Sequence, residues 1–417
     1  MRNPLLTAAI GLFALAAHAD DDIPSMEGKF TIPGKVAPTV VPLVIEGDQI
    51  YFEAEMEGPK GSRKVLSNLN MGHGFSAFMM RVFGDVGFVP HSPIHLRIGG
   101  VPIEAAPDVT APIPDVDPPG RQLFDTFFAT HKVEGMIESG VLQNFDIALD
   151  YSQKTLTLAS PGTLPHDGVA VPIRLKPETG VVSVDVTVDG KVYPMVIDTG
   201  GPFTWVRPGT AEAWLKDHPE RNRGTGAVGE ANYWMKDTPA EQEGTIIRLP
   251  EAKIGPMSVA NFAVLGTDPR MGGVYGMDKT EAMYENWQKN NTPGGEVAWL
   301  GANVLKHYRV TIDYKAHMSW WKKIDDIDPH ELDQVGLSFI YDKGVYSVGR
   351  VATKDGKPTV SGVEKGDKVV AVDDVAATGW SRDQLLAALR GKPGDIHRVT
   401  FDRGGKTLTL SLPVTAF

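Results

Sequence analysis

This chain repeats itself, and the repeat constrains its fold more than any other feature. In the first half, Gln49 to Glu57 alternates apolar and polar residues like a strand. Gly58-Pro59-Lys60-Gly61-Ser62 turns it, and Lys64-Val65-Leu66 begins the return. In the second half, Val181 to Val188 alternates, Asp189-Gly190 turns, and Val192 to Ile197 returns. An Asp-Gly pair between alternating runs is a strong hairpin signal. The halves match again downstream. Phe145 to Tyr151 followed by Lys154 to Leu158 corresponds to Tyr308 to Tyr314 followed by Met318 to Trp321. A short helix-like stretch precedes each, Glu138 to Asn144 and Gly301 to His307, and a strand pair lies between, around Ile94 to Gly100 and Ile246 to Gly255. The expectation is a mainly β protein with two pseudo-symmetric β-rich lobes, at about 30–160 and 168–323. The period is too long for a solenoid.

The return strand of the second hairpin ends in Ile197-Asp198-Thr199-Gly200-Gly201-Pro202-Phe203. An apolar strand thus delivers a carboxylate onto a turn of small residues, where backbone can approach closely. With its hairpin and the downstream helix and strand, this run resembles the aspartic peptidases of the retropepsin and pepsin type, especially fused bacterial forms. The resemblance covers roughly 30–323. It implies peptide-bond hydrolysis by two carboxylates that hold a water and share one proton, because like charges a few Å apart cannot both ionise.

Superposing the hairpins sets Asn70-Met71-Gly72-His73-Gly74-Phe75 over Asp198-Thr199-Gly200-Gly201-Pro202-Phe203. The third-position Gly and sixth-position Phe match. The catalytic position of the first lobe is Asn70. The Thr position, whose hydroxyl in the family bonds across the pseudo-twofold axis, is Met71. An amide can donate a hydrogen bond but cannot release a proton. The expectation is therefore a very slow peptidase or a non-catalytic relative, with Asp198 and Asn70 at the centre and Thr199, Gly200, Met71 and Gly72 forming the supporting turns. Asp85, in Asp85-Val86-Gly87, is an alternative second acid without a hairpin of its own. A homodimer pairing two copies of Asp198 is another.

From about Leu332 the pattern changes. Gly336-Leu337-Ser338-Phe339 opens a strand, Val360 to Asp373 makes a turn and a strand, and Ser381 to Arg390 is an amphipathic helix with a Ser N-cap. Two further strands, His397 to Phe401 and Thr407 to Leu412, follow. This third domain, 332–417, resembles a PDZ domain, a small β-rich fold. The resemblance implies capture of extended peptides by strand addition. Gly336, Leu337, Ser338 and Phe339 would form the carboxylate-binding loop, and Ser381 and Leu385 the groove helix.

Composition narrows the chemistry. With no cysteine, thiolate–metal sites, Cys nucleophiles and disulfides are excluded. Met1-Arg2-Asn3, the apolar run Leu5 to Ala17 and Ala17-His18-Ala19 read as a secretory signal peptide at 1–19, so the mature protein is expected to be exported, periplasmic or secreted. Loss of Arg2 takes the formal charge from −11 to −12, which argues against nucleic acid as a partner. No later run is long and apolar enough to span a bilayer. His73, His91 and His95 lack the further ligands of a metal site. The Gly224 to Gly229 run lacks the Lys and preceding strand of a phosphate loop. No cofactor or metal is expected. Val101 to Gly120 and Asn290 to Gly295 read as loops, and Leu215 to Asn232, polar and glycine-rich, as a mobile surface insertion that could supply a flap. Two functions compete: an exported aspartic-type endopeptidase with a peptide-recruiting PDZ domain, and an inactive pseudoprotease that binds peptides or an envelope partner.

Overall fold

The computed structural model describes residues 25–115, 131–269 and 280–417; the expected signal peptide at 1–19 lies outside the described residues. The protein is mainly β, with several sheets. Its contacts divide into two compact units: Met1–Gly201, Ala252–Ser258 and Met283–Asp326 in the first, and Pro202–Glu251, Val259–Ala282 and Ile327–Phe417 in the second.

In the first unit both hairpins form where the alternation places them. Strand Gln49–Gly58 pairs with Gly61–Asn70, Gly58 opposite Gly61. Strand Val182–Val188 pairs with Lys191–Ile197, and the turn residues Asp189 and Gly190 have φ of 50° and 76°. Positive φ at both central positions is the type I′ turn, whose twist suits a hairpin and which Asp-Gly adopts at little cost. A nine-stranded sheet carries the first hairpin. It also contains the strand pair Ile94–Ile98 and Val101–Ala105. The Val101 to Gly120 stretch, expected as loop, is partly strand. Val101–Ala105 returns on Ile94–Ile98, and Ala111–Ile113 pairs parallel with Ala77–Met79. Alternating burial of Val101, Ile103 and Ala105 outweighs the prolines, which occupy positions the sheet tolerates.

A six-stranded sheet joins the matched downstream segments in the order Val169–Pro172, Met318–Lys323, Tyr308–Asp313, Asp146–Asp150, Thr155–Ala159, Thr39–Pro42. Read from either end it is a short strand followed by a hairpin. At its middle Asp146 stands opposite Asp313 and Asp150 opposite Arg309, so the repeated segments meet antiparallel.

In the second unit a seven-stranded sheet begins with Gln334–Val335 and ends with Leu337–Asp342. Only Gly336 separates these end strands in sequence, so the sheet curls like a barrel. Helix Arg382–Leu389 is started by a capping box: Ser381 Oγ accepts from Gln384 N–H while the Gln384 side chain accepts from Ser381 N–H. Its buried face, Leu385, Leu386 and Leu389, packs with Leu337, Phe339, Val348, Val399 and Phe401 in one core.

Candidate active site

Two parallel strand pairs in the first unit deliver the site. Lys191–Ile197 runs beside Ala298–Leu300, Ile197 opposite Leu300. Gly61–Asn70 runs beside Gly135–Glu138, Leu69 opposite Ile137. The turns that follow match bond for bond. Gly200 N–H donates to Asp198 Oδ1 at 2.9 Å, and Gly72 N–H to Asn70 Oδ1 at 2.9 Å. Ala302 N–H donates to the Gly201 carbonyl at 2.9 Å, and Ser139 N–H to the His73 carbonyl at 3.0 Å. The correspondence of Asn70 with Asp198 therefore exists in hydrogen bonds as well as in sequence.

The two side chains face each other's turns. A Cβ on Gly72 would sit 2.8 Å from the Asp198 carboxyl carbon, and one on Gly200 would sit 2.5 Å from the Asn70 amide carbon. Glycine is required at both positions by this approach. Asp198 and Asn70 are nearly buried, 8% and 9% exposed.

Thr199 clamps the turns together. Its fully buried hydroxyl accepts from Met71 N–H at 3.1 Å and donates to the Leu69 carbonyl at 2.9 Å. Met71 has no hydroxyl with which to return these bonds, so the clamp is one-sided. Instead Ser139 Oγ donates to the Met71 carbonyl at 2.9 Å, and Trp287 Nε1 donates to the Gly72 carbonyl at 3.1 Å. Ser139 and Trp287 thus tether the first turn through its own carbonyls. Neither stood out in sequence, because each reaches the turn from a distant segment.

Burial pushes the Asp198 carboxyl up to about 6, against the N–H groups of Gly200, Gly72 and Gly201 that favour its charge. Such a group is a proton acceptor near neutral pH and a neutral acid below it. Asn70 can only orient a water or a carbonyl. Asp85 lies elsewhere: it sits on helix Met80–Val86, is 60% exposed and pairs with Arg63 at 3.2 Å. His91 pairs with Asp108 at 2.9 Å on the surface. Among the described residues no three His, Asp or Glu side chains are grouped to hold a metal.

Gly336 to Phe339 and the helix Arg382–Leu389, expected from the sequence to be a carboxylate loop and a groove helix, lie in the second unit, where the segment Ala227 to Met235 packs against both. Phe339 N–H donates to Asn232 Oδ1 at 2.6 Å, and Asn232 Nδ2 donates to the Phe339 carbonyl at 3.3 Å. Tyr341 N–H donates to the Met235 carbonyl at 2.8 Å. Ser338 Oγ donates to the Ala227 carbonyl. The Met235 side chain enters the core with Leu337, Phe339 and Leu385. From the helix, Arg382 donates to the carbonyls of Asn232 and Glu230, at 3.3 and 3.1 Å, and pairs with the Glu230 carboxylate at 3.0 Å. Glu241 pins the segment by accepting from Trp234 N–H at 2.6 Å and Lys236 N–H at 3.2 Å.

The expected surface insertion is thus built in. Leu215 to Asn232 takes in the end of the helix Pro208–Asp217 and the strand Asn222–Thr225, and Ala227, Val228 and Asn232 are fully buried. Its polarity, which suggested solvent, serves hydrogen bonds with side chains from another part of the sequence. Gly224, Gly226 and Gly229 take φ of 157°, 97° and 53° against Thr353, Arg350 and Gln334, so this run packs on the C-terminal segment.

No protein-family model and no curated protein matches this chain.

Proposed function

We propose that the Asp198 site hydrolyses peptide bonds in extended polypeptides, as an exported aspartic-type endopeptidase whose lobes and PDZ-like tail follow the family the sequence resembles. The observation that carries this reading is the pair of matched turns, each aiming one polar side chain at the glycine of the other, with Thr199 clamping them. A fixed carboxylate near neutral pKa in a largely desolvated turn can take a proton from water as the water oxygen attacks a carbonyl. The Asn70 amide can hold that water or the carbonyl oxygen in place.

A second reading is supported by Asn70 and Met71. A site with one carboxylate and half a clamp can bind a peptide without cutting it. Incubating the mature protein with an unstructured polypeptide from about pH 3 to 7, where carboxyl pairs titrate, separates the readings. Cutting blocked by a pepsin-type inhibitor supports hydrolysis. An inert wild type whose Asn70→Asp variant cuts supports the binding reading. Recruitment of peptides by the tail requires residues 232–236 to leave the Phe339 strand first.

A further inference from the structure

We propose that Glu138 is the second carboxyl group of this site and works with Asp198 as a proton-sharing pair, supplying the acid that Asn70 cannot. The inference rests on the hydrolytic reading above and adds a residue to it.

Glu138 ends the strand Gly135–Glu138 and stands in register with Asn70, its parallel neighbour. Adjacent strands lie about 4.8 Å apart, and residues in register project to the same face. The end of this strand is sewn to the turn that cradles Asp198. Glu138 N–H donates to Ser76 Oγ at 3.0 Å, and the next residue reaches His73 and Met71. The Glu138 side chain is 4% exposed, and its Oε2 has no hydrogen-bond partner. A buried carboxyl oxygen without a partner costs on the order of 1–3 kcal/mol or more if the group is charged, so such a group stays neutral or serves a purpose. In the matched half the same position is Gly301, and Leu300-Gly301-Ala302 carries no acid.

Burial raises the Glu138 carboxyl well above the ordinary range, a hydrogen bond from Phe75 N–H opposes this, and the charge of Asp198 adds to it. The other ionisable groups around the pair do not compete for the proton. Burial, with the charges of Asp48 and Asp198, keeps the Tyr151 phenol neutral. Desolvation pushes the His73 imidazole down to about 4, so it is uncharged where Asp198 titrates. The charge of Asp198 thus favours the protonated form of Glu138.

The step balances with water as the only co-reactant. Ionised Asp198 takes a proton from water while the water oxygen bonds to the amide carbon. The carbonyl π pair moves to oxygen, which takes the Glu138 proton. On collapse the C–N bond breaks, the nitrogen leaves with the proton held by Asp198, and Glu138 recovers its own from the diol.

The test is a carbon-detected titration of side-chain carboxyls in the full mature chain, paired with a cleavage assay. Asp198→Asn should move the Glu138 midpoint down by about one pH unit or more, the threshold of a coupled pair. Glu138→Gln, which keeps the Phe75 bond, should cut peptide hydrolysis by about 10²–10⁴-fold and remove the alkaline limb of the pH profile. Glu138→Asp should recover part of it. An unmoved Glu138 midpoint overturns the pair. So does full cleavage by Glu138→Gln alongside loss in Asp198→Ala, a result that leaves the hydrolytic reading standing. A coupled titration with no cleavage in wild type upholds the pair and ends the hydrolytic reading instead.

Discussion

At the scale of single residues, Asp198 carries the electrostatic cost of the site. Its carboxyl ordinarily titrates near 3.8, and burial holds it at about 6 in the folded chain. Between those values the folded state binds more protons than the unfolded one, so stability falls as pH rises through the window and the full penalty is present above it. The two-unit gap corresponds to about 3 kcal/mol at most. Asp198→Asn should therefore raise stability by up to that amount above pH 6 and by nothing below pH 4, read as the difference between denaturation midpoints across pH. Thr199 is the converse case. Its hydroxyl satisfies a buried donor and a buried acceptor on the facing turn. Thr199→Val leaves both orphaned and should cost about 2–4 kcal/mol in urea denaturation, with little dependence on pH. A cost under about 0.5 kcal/mol would mean the clamp is ornamental.

Among elements, the hairpins were legible in the sequence and the packing of Ala227 to Met235 beside the Phe339 strand was not. Asp189-Gly190 announces its turn locally, because both residues tolerate positive φ. The alternation of Gln49 to Glu57 and the Ser381 cap are equally local signals. The segment Ala227 to Met235 gave no such signal. Its burial depends on Ser338, Phe339, Tyr341 and Arg382, more than a hundred residues downstream. Glu138 escaped notice for a similar reason: only a parallel pairing, which no local pattern reveals, sets it beside Asn70. The packed segment makes its own prediction. Asn232→Ala leaves Phe339 N–H and carbonyl without their side-chain partner and should lower stability by about 1–3 kcal/mol. It should also let an extended peptide bind along Leu337–Asp342, seen as fluorescence anisotropy of a labelled peptide that wild type does not retain. Equal binding by both would show that the segment leaves that strand unaided.

For the molecule as a whole, the duplicated pattern foretold a mainly β chain. The alternating runs and the hairpin turns sufficed for that. What the pattern did not foretell is that residues 202–251 and 327–417 share one compact unit. Sequence ranges suggest a tail that can be removed at about residue 326. In the second unit, that cut would strip Ala227, Val228, Asn232 and Met235 of the groups that cover them. A chain ending there should bind a hydrophobic dye and aggregate, whereas a separable tail would leave a folded monomer with a single sharp melt.

Peptide hydrolysis by Asp198, as proposed, is open to direct test. The most direct measurement counts new N-termini formed when the protein is incubated near pH 7, where Asp198 is ionised, with an unstructured polypeptide, for wild type and Asp198→Ala side by side. New N-termini should accumulate with wild type and fall by at least about 10²-fold in the variant. Equal accumulation with both, or none with wild type at any pH where carboxyls titrate, would contradict the proposal.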